Sequence, residues 1–509
     1  MDVTQILMLI TILVYLAAMV GIGAILAKQN QTTDDFYLGG RTLGPLVTAM
    51  SAEASDMSSW LLMGLPGVAY LSGTADAAWT AIGLAIGTYV NWLVVAKRLR
   101  NYTHVCGNST TLPLFFSNRY RDNKRILSVI AALLIIIFFV PYTASGFAAC
   151  CKLFANLFGM DYLPAMLISA IVIVAYTTLG GFLAASTTDF VQSIVMTIAI
   201  VVVFGFGISK VGSFSAVMDN AKSMAGYFSL THTHDVATGT ASPYSLLQIF
   251  STLAWGLGYF GMPHVLLRFM AIGDANKLKL SRRVATVWVV ISMAVSVFIG
   301  VIGNAMTKAG VLPTLKDPET IILVVSDLIS KHGVLATIIA GLILAGILAA
   351  TMSTADSQLL AASSSASQNI LKEVFMKDMS EKTGMLIARI TVLVIALIGV
   401  FIARNPDSSV FQIVSFAWAG FGASFGPLVL LALFWKRSTF QGALCGMVSG
   451  GVMVFVWKFL IRPMGGALGI YELLPAFLLG LAVNVIVSLL TPAPSREVQD
   501  EFDKVASMK

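Results

Sequence analysis

Three short stretches of this chain put oxygen-bearing side chains where apolar ones belong. The first runs Ser51-Ala52-Glu53-Ala54-Ser55-Asp56-Met57-Ser58-Ser59-Trp60, between Gly44-Pro45 and Gly64-Leu65-Pro66-Gly67. Asp56 falls near the middle of a segment long enough to cross a bilayer, where a carboxylate is costly unless something compensates it. Serine, glycine and proline around it favour an interrupted helix, and unwound backbone survives at that depth only where it is buried or lines a cavity. The reading is a discontinuous helix with a cation partner. The competing one is a packing helix in which Asp56 is a structural acceptor. The second stretch, Trp255-Gly256-Leu257-Gly258-Tyr259-Phe260-Gly261-Met262-Pro263-His264, crowds glycines and a proline together, which loosens or breaks a helix. Trp255 and Tyr259 are four apart and share a face. They suit either a pocket for a small, partly apolar solute or an interfacial aromatic belt. The third stretch, Ala349 to Gln358, offers adjacent hydroxyls at Ser353 and Thr354. With carbonyls freed from an unwound helix they would make ligands for a hard cation such as sodium. Alternatively, they bond back to their own helix.

The elements that position these residues follow from composition. Of 509 residues, 57% are hydrophobic and 11% charged, against about 25% charged in soluble domains. Apolar runs of bilayer length recur along the chain, so an all-α polytopic membrane protein is expected. Barrel strands are shorter and alternate in polarity. About thirteen spans are read, near 6–27, 44–72, 77–96, 126–157, 162–179, 189–209, 244–262, 285–306, 334–355, 384–403, 408–435, 439–461 and 469–491. With the N-terminus outside, the inner loops and tail hold roughly three times as many Lys and Arg as the outer loops. This bias predicts a cell-membrane protein with its C-terminus in the cytoplasm, and it explains the net charge of +7 without nucleic acid. The interrupted spans are the second and the seventh. Paired breaks in corresponding positions point to a transporter built from inverted repeats. The organisation expected is an extra helix and loop (1–43), a first repeat (44–210), a second repeat (243–438), two further helices (439–491) and a tail (492–509). Between 307 and 333, Glu319 to Ser330 reads as a short amphipathic helix on the outer face.

Other motifs carry less. Cys106, Cys150, Cys151 and Cys445 fit no metal-ligand spacing and read as packed thiols. His232 and His234 read as solvated loop residues. Gly422-Ala423-Ser424-Phe425-Gly426 matches a nucleophile elbow in letters only, because it lies within an apolar helix. Gly83/Gly87 and Gly442/Gly446/Gly450 read as helix-packing glycines. No nucleotide-binding or metalloprotease motif appears, so neither ATP-driven pumping nor an enzyme is expected.

Longer matches are more specific. Asp34-Asp35-Phe36-Tyr37-Leu38-Gly39-Gly40-Arg41, Ala54-Ser55-Asp56-Met57-Ser58 and Trp60-Leu61-Leu62-Met63-Gly64-Leu65-Pro66-Gly67 resemble the sodium:solute symporter family. The Trp255–Gly261 stretch with Pro263-His264, Arg268-Phe269-Met270-Ala271, Ala417-Trp418-Ala419-Gly420-Phe421-Gly422-Ala423 and Gly426-Pro427 resembles its bacterial sodium/proline branch. The likeness spans essentially the whole chain and is weakest in the tail. It implies a LeuT-like 5+5 inverted-repeat core of ten helices, with one helix before it and two after. It implies a sodium site made by the carbonyls of Ala54, Met57 and Ala350 and the hydroxyls of Ser353 and Thr354. It makes Asp56 necessary for sodium binding or coupling, with Ser58 nearby. Trp255, Tyr259 and Pro263 would form the proline side, Tyr142 would lie near the cavity, and Arg41 and Asp189 would act in gating or coupling. The implied activity is sodium-coupled import of L-proline by alternating access, with the bilayer and no obligatory protein partner. Another small solute on the same fold (another amino acid, pantothenate, a sugar or sialic acid) or proton coupling through Asp56 is the alternative. The chain departs from the family pattern at Glu53 and Ser59, where glycine is usual, and at Leu114, where an acidic residue is usual.

Overall fold

The computed structural model describes residues 2–29, 32–376, 379–403 and 409–508. Positions 377–378 and 404–408 of the expected second repeat lie outside the described residues, as do the start of the 408–435 span and the last residue of the tail.

Capping chemistry sets many of the helix ends. α1 (Val3–Leu26) and α2 (Thr33–Leu38) open on reciprocal capping boxes, Asp2 with Gln5 and Thr32 with Asp35. The second expected span is in pieces: α3 (Pro45–Ser59), a π-helical turn (Trp60–Gly64) and α4 (Leu65–Ser72). α5 (Thr74–Val90) passes through a π-helical turn (Asn91–Val95) into α6 (Ala96–Val105), and Thr111 caps α7 (Leu112–Arg119). α8 (Ile126–Phe158) stops at left-handed Gly159, and α9 (Tyr162–Val211) stops at Gly212. There follow α10 (Phe214–Ser223) and a hairpin of β1 (His232–His234) and β2 (Ala241–Pro243), with His232 opposite Pro243. The seventh expected span is also in pieces: α11 (Leu246–Leu253), opened by a Ser245–Gln248 capping box, a 3-10 stretch (Ala254–Phe260) and α12 (Pro263–Ala271). The rest is α13 (Leu278–Lys308), α14 (Ile321–Ser330), α15 (Val334–Ser364) with a π-helical extension (Ser365–Phe375), α16 (Glu381–Ile402), α17 (Val410–Phe434), α18 (Phe440–Val456), α19 (Leu473–Leu490) and α20 (Arg496–Ser507).

Among the described residues 10 helical runs are long and apolar enough to cross a membrane. Three expected spans fall short as continuous helices. Those at 44–72 and 244–262 are broken. Those at 162–179 and 189–209 are not separated by a loop but join in α9, bent at Gly181 (φ 61°, ψ −163°). Only the run from Gly180 onward is long and apolar enough by itself. The spans expected at 77–96 and 334–355 are longer in the structure, running to Val105 and Phe375. The 211–243 loop holds α10 and the hairpin, and the tail is helical.

Burial sorts the bundle. In the most apolar window of α17, 83% of residues are buried, against 28% in α1 and in α16. Leu13, Ile86, Ile137, Ile171 and Leu397 are exposed on the outer surface, which suits a body surrounded by hydrocarbon. Gly83 and Gly87 let α5 lie directly on the broken seventh span. A Cβ at Gly83 would sit 2.5 Å from the Leu253 carbonyl, and one at Gly87 would strike the Gly256 carbonyl.

Candidate functional site

The two interruptions meet. α3 breaks at Ser58, whose φ of 50° and ψ of −172° lie in a region that side-chain-bearing residues rarely adopt. Its own Oγ accepts the Trp60 N–H at 3.0 Å, which offsets part of the strain. Breaking a helix frees carbonyls that must find donors at this depth, and each donor comes from a different helix. Ala54 O accepts Ser353 Oγ (2.9 Å), and Asp56 O accepts Tyr142 Oη (3.2 Å). Trp255 O accepts Trp418 Nε1 (2.7 Å), and Tyr259 O accepts Asn91 Nδ2 (3.1 Å).

On one side of the meeting point lies an oxygen cluster. Ser353 Oγ is also 3.2 Å from Ala350 O, and Thr354 Oγ1 is 3.1 Å from the same carbonyl. Ala54, Ala350, Ser353 and Thr354 are all buried. Their donor set is neutral and hard, two carbonyls and two hydroxyls, suited to a cation that prefers oxygen. Each hydroxyl can turn its proton away and present a lone pair without moving its oxygen.

On the other side is a small cavity of 10 Å³, lined by Asp56, Met57, Trp60, Tyr142, Trp255 and Trp418 among others. That is about the space of one water, so a larger solute requires its walls to part. Asp56 Oδ2 accepts Tyr259 Oη at 2.5 Å, and its Oδ1 is buried without a hydrogen-bond partner among the described residues. Aromatic rings roof the cavity. Tyr471 stacks on Trp255 (5.1 Å between centroids, 19° between planes), and Phe411 packs on Trp255 (5.6 Å) and Trp60 (6.0 Å).

Of the solute residues expected from sequence, Trp255 and Tyr142 line this cavity. Tyr259 stands behind it on Asp56, edge-on to Trp418 (5.1 Å, 89°). Pro263 opens the first turn of α12, and Ser58 forms the break. Of the expected cation ligands, Met57 contributes to the cavity lining and Asp56 to both the lining and the Tyr259 bond. Sequence reasoning misses Trp60 and Trp418 in the cavity lining, and Phe411 and Tyr471 in the aromatic layer packed on Trp255. The first two lie inside the quoted motifs, while Phe411 and Tyr471 carry no local signal.

Asp189 and Arg268 form a buried ion pair (3.1 Å) with side chains 0% and 1% exposed. Arg268 also donates to Ser51 Oγ (3.0 Å), Ser357 Oγ (2.5 Å) and the His264 carbonyl (3.0 Å), and Ser51 donates to Asp189 (2.7 Å). Ser357 in turn donates to the Ser353 carbonyl (2.9 Å). One guanidinium therefore ties α3, α9, α12 and α15 together just beyond the oxygen cluster. Arg268 is another site residue that spacing does not reveal, since its partners lie far away in sequence.

Both ends of the meeting point are closed. At one, Arg41 Nη1 donates to Met270 O (2.6 Å), Nη2 to Ser109 O (2.8 Å) and Nε to Asn108 (3.2 Å), while Leu43 exchanges backbone bonds with Ala271 and Gly273. Burial, and then the nearby Arg100 charge, push the Arg41 guanidinium down to about 10, so it remains charged at neutral pH. At the other end Lys152 pairs with Glu319 (2.7 Å) and Asp317 (2.8 Å). Glu319 also accepts Ser409 Oγ and the Val410 and Phe411 N–H groups at the start of α17, where the helix dipole favours an anion.

Two interrupted helices meeting inside the membrane, with a hard-oxygen cluster beside an aromatic cavity and a closure at each end, form the architecture of an alternating-access secondary transporter. The model of the sodium:solute symporter family matches residues 36–450, and the chain belongs to this family. The osmoregulated proline transporter OpuE of Bacillus subtilis (strain 168) is 40% identical over 489 residues, covering 96% of each protein. The sodium/proline symporter of Escherichia coli (strain K12) is 41% identical over 500 residues, covering 97% of this chain and 95% of the relative. Among solved structures, a Na+-coupled sialic acid symporter in a substrate-bound, outward-open state superposes with a TM-score of 0.78 at 18% identity, covering 96% of this chain and 99% of that one. The nucleobase-cation-symport-1 transporter Mhp1, closed on bromovinylhydantoin, superposes with a TM-score of 0.55 at 14% identity, over 92% and 98% of the two chains. At these identities both likenesses concern the fold.

Proposed function

We propose that this protein imports L-proline together with sodium across the cell membrane, and makes and breaks no covalent bond. The observation that carries the reading is the contact between Ser353 Oγ and the Ala54 carbonyl. A cation held there by Ala54, Ala350, Ser353 and Thr354, with the Met57 carbonyl as a fifth oxygen, ties α15 to the broken α3. The next turn of α3 carries Asp56, and Trp60 follows the break, so ion binding shapes the neighbouring solute cavity. The names of the sodium/proline symporter relatives support both cargoes.

Proline's ring packs against Trp255 and Trp60, whose rings lie 5.6 Å apart and part to admit it, and its ammonium meets Asp56 Oδ1, a buried acceptor without a hydrogen-bond partner among the described residues. Its carboxylate takes N–H groups at a half-helix start, where the dipole favours an anion. Tyr142 lines the cavity beside Trp255 and Trp60, and Tyr259, Pro263 and Ser58 hold this geometry from behind. Arg41 and Asp189 act in gating and coupling, Arg41 by locking one end of the pathway and Asp189 through Arg268. The roof of Phe411 and Tyr471 opens to admit the solute, and the Arg41 end opens to release it.

The basic loops favour an N-terminus outside and a C-terminus in the cytoplasm, which makes the Arg41 end the inner one and the Glu319 end the outer one. With the two broken spans and the first half of α9 counted, thirteen crossings are proposed, with inverted repeats over 44–210 and 243–438. One sodium crossing 100 mV releases about 2.3 kcal/mol, and a tenfold sodium gradient adds about 1.4 kcal/mol. Together these sustain roughly a 500-fold proline gradient at one-to-one coupling. The test is radiolabelled proline uptake into proteoliposomes with and without an inward sodium gradient. Sodium-driven accumulation is expected, and equal, flat uptake in both conditions defeats the reading.

A further inference from the structure

A polar hollow far larger than the solute cavity opens elsewhere in the described bundle. It has a volume of 960 Å³ and lies at the Arg41 end, between α2, the loop before α7, the start of α8 and the π-helix Ser365–Phe375. A π-helix of this length is rare, and such segments occur frequently at functional sites. This one turns Gln368, Asn369 and Lys372 toward the hollow. Asn369 is 1% exposed, and its Nδ2 donates to Thr111 (3.0 Å), but its Oδ1 has no partner among the described residues. Gln368 Nε2, next to it, is a buried donor likewise without a partner. A buried polar atom without a hydrogen bond is costly, so Asn369 Oδ1 calls for a donor and Gln368 Nε2 for an acceptor.

The charges narrow the class. Lys124 and Lys372 line the hollow, and neither takes part in an ion pair among the described residues, whereas Arg125 is held by Glu373 at 3.8 Å. Asp34 is at the rim. A multiply charged anion would meet Asp34 and Glu373, and a simple cation would meet the lysines. A zwitterion satisfies both signs. Its ammonium would donate to Asn369 Oδ1 with Asp34 nearby, and its carboxylate would accept from Gln368 and Lys372.

We propose that this hollow is a second, cytoplasm-facing binding site for a free amino acid, that proline itself occupies it, and that its occupancy slows uptake. The proposal rests on the symport reading above and on the orientation given there. The coupling route is short. Asn108 lines the hollow and accepts Arg41 Nε (3.2 Å), and Arg41 holds the Met270 carbonyl at the end of α12. A ligand that fixes this wall holds the inner closure shut.

The experiment is equilibrium dialysis of the purified full-length protein with labelled proline and saturating sodium, followed by uptake into oriented proteoliposomes preloaded with unlabelled proline. Wild-type protein is expected to bind two prolines per chain. Asn369→Leu and Lys372→Ala are expected to bind one while keeping zero-trans uptake, and Trp255→Ala is expected to keep the second site alone. Luminal proline should slow wild-type uptake by about fivefold, the low end of ordinary coupling between sites, and both hollow variants should relieve that slowing. If Asn369→Leu fails to fold, Lys372→Ala, at the rim, decides. One proline per wild-type chain, or unchanged stoichiometry and unchanged internal inhibition in the variants, overturns the inference and leaves the symport reading standing. No proline bound by the wild type defeats both.

Discussion

Tyr259 Oη donates to Asp56 Oδ2 at 2.5 Å, a bond that runs from one broken helix to the other. It fixes the carboxylate so that Oδ2 is satisfied by protein, while Oδ1 has no partner among the described residues and is the atom proposed above for the ammonium. Hydrogen bonds to charged groups contribute about 1.5–3 kcal/mol. Tyr259→Phe removes the donor and keeps the ring against Trp418, so the half-saturation for proline should rise by roughly tenfold or more, with folded yield unchanged. An unaltered proline dependence would show that the carboxylate is positioned by something else.

The oxygen cluster predicts a different signature. Ser353→Ala and Thr354→Ala each delete one neutral ligand, with a loss of about 1 kcal/mol or roughly fivefold in affinity. That loss should appear in the sodium titration of uptake, with proline half-saturation largely restored at saturating sodium. Ser353→Thr and Thr354→Ser keep the oxygens and should stay near wild type. If the alanine variants shift only the proline dependence, the ion lies elsewhere.

How much of this was legible beforehand varies with the range of the interaction. The breaks at Ser58 and Gly261 announce themselves because glycine, proline and hydroxyl residues are concentrated where apolar ones are the rule. The hydroxyl pair at Ser353 and Thr354 is legible for the same reason, and the structure brings Ser353 within hydrogen-bonding distance of Ala54, a residue nearly three hundred positions earlier. Pairing across such distances cannot be seen in local spacing. The carboxylate that pairs with Arg268 lies 79 positions away in sequence, and Phe411 and Tyr471 look like ordinary apolar-segment aromatics. The tail is misleading in another way. It is short and polar in composition, but Val498, Phe502 and Val505 form one buried face of α20, with Phe502 under the Arg98 and Arg119 guanidinium groups. Glu53, one of the departures from the family pattern, accepts Trp92 Nε1 at 2.8 Å and packs inside the bundle. Nothing in its immediate neighbours foretells that partner.

The Asp189–Arg268 pair lends itself to a double-mutant cycle. Both groups are buried, so removing one leaves an uncompensated charge and should cost about 3–5 kcal/mol, while removing both can be nearly neutral. Arg268→Met and Asp189→Leu should each lower the unfolding midpoint in detergent sharply. The double variant should recover much of the loss but not the uptake, because Ser51 and Ser357 lose their shared partner. Additive destabilisation would mean that the two residues stabilise the bundle independently, and retained transport in the double variant would remove the network from coupling.

The closure at the Glu319 end, the outer one in the proposed orientation, can be tested through Lys152. Glu319 is held by the Lys152 ammonium and by the start of α17, and the same segment carries Phe411 over Trp60 and Trp255. Lys152→Met leaves Glu319 and Asp317 without an ion-pair partner among the described residues, so the loop and the α17 start should separate and the aromatic roof should loosen. Val414 is buried and lines the solute cavity beneath that roof, which makes Val414→Cys a reporter that a membrane-impermeant thiol reagent reaches only when the outer end is open. In a background where the four native cysteines are replaced, Lys152→Met should raise the labelling rate by about tenfold or more, the equivalent of losing part of a buried ion pair. Added proline and sodium should slow labelling in the reporter background and slow it less in the Lys152 variant. Equal labelling with and without Lys152 would show that the aromatic stack seals the outer end unaided, and that the Glu319 ion pairs only anchor the loop.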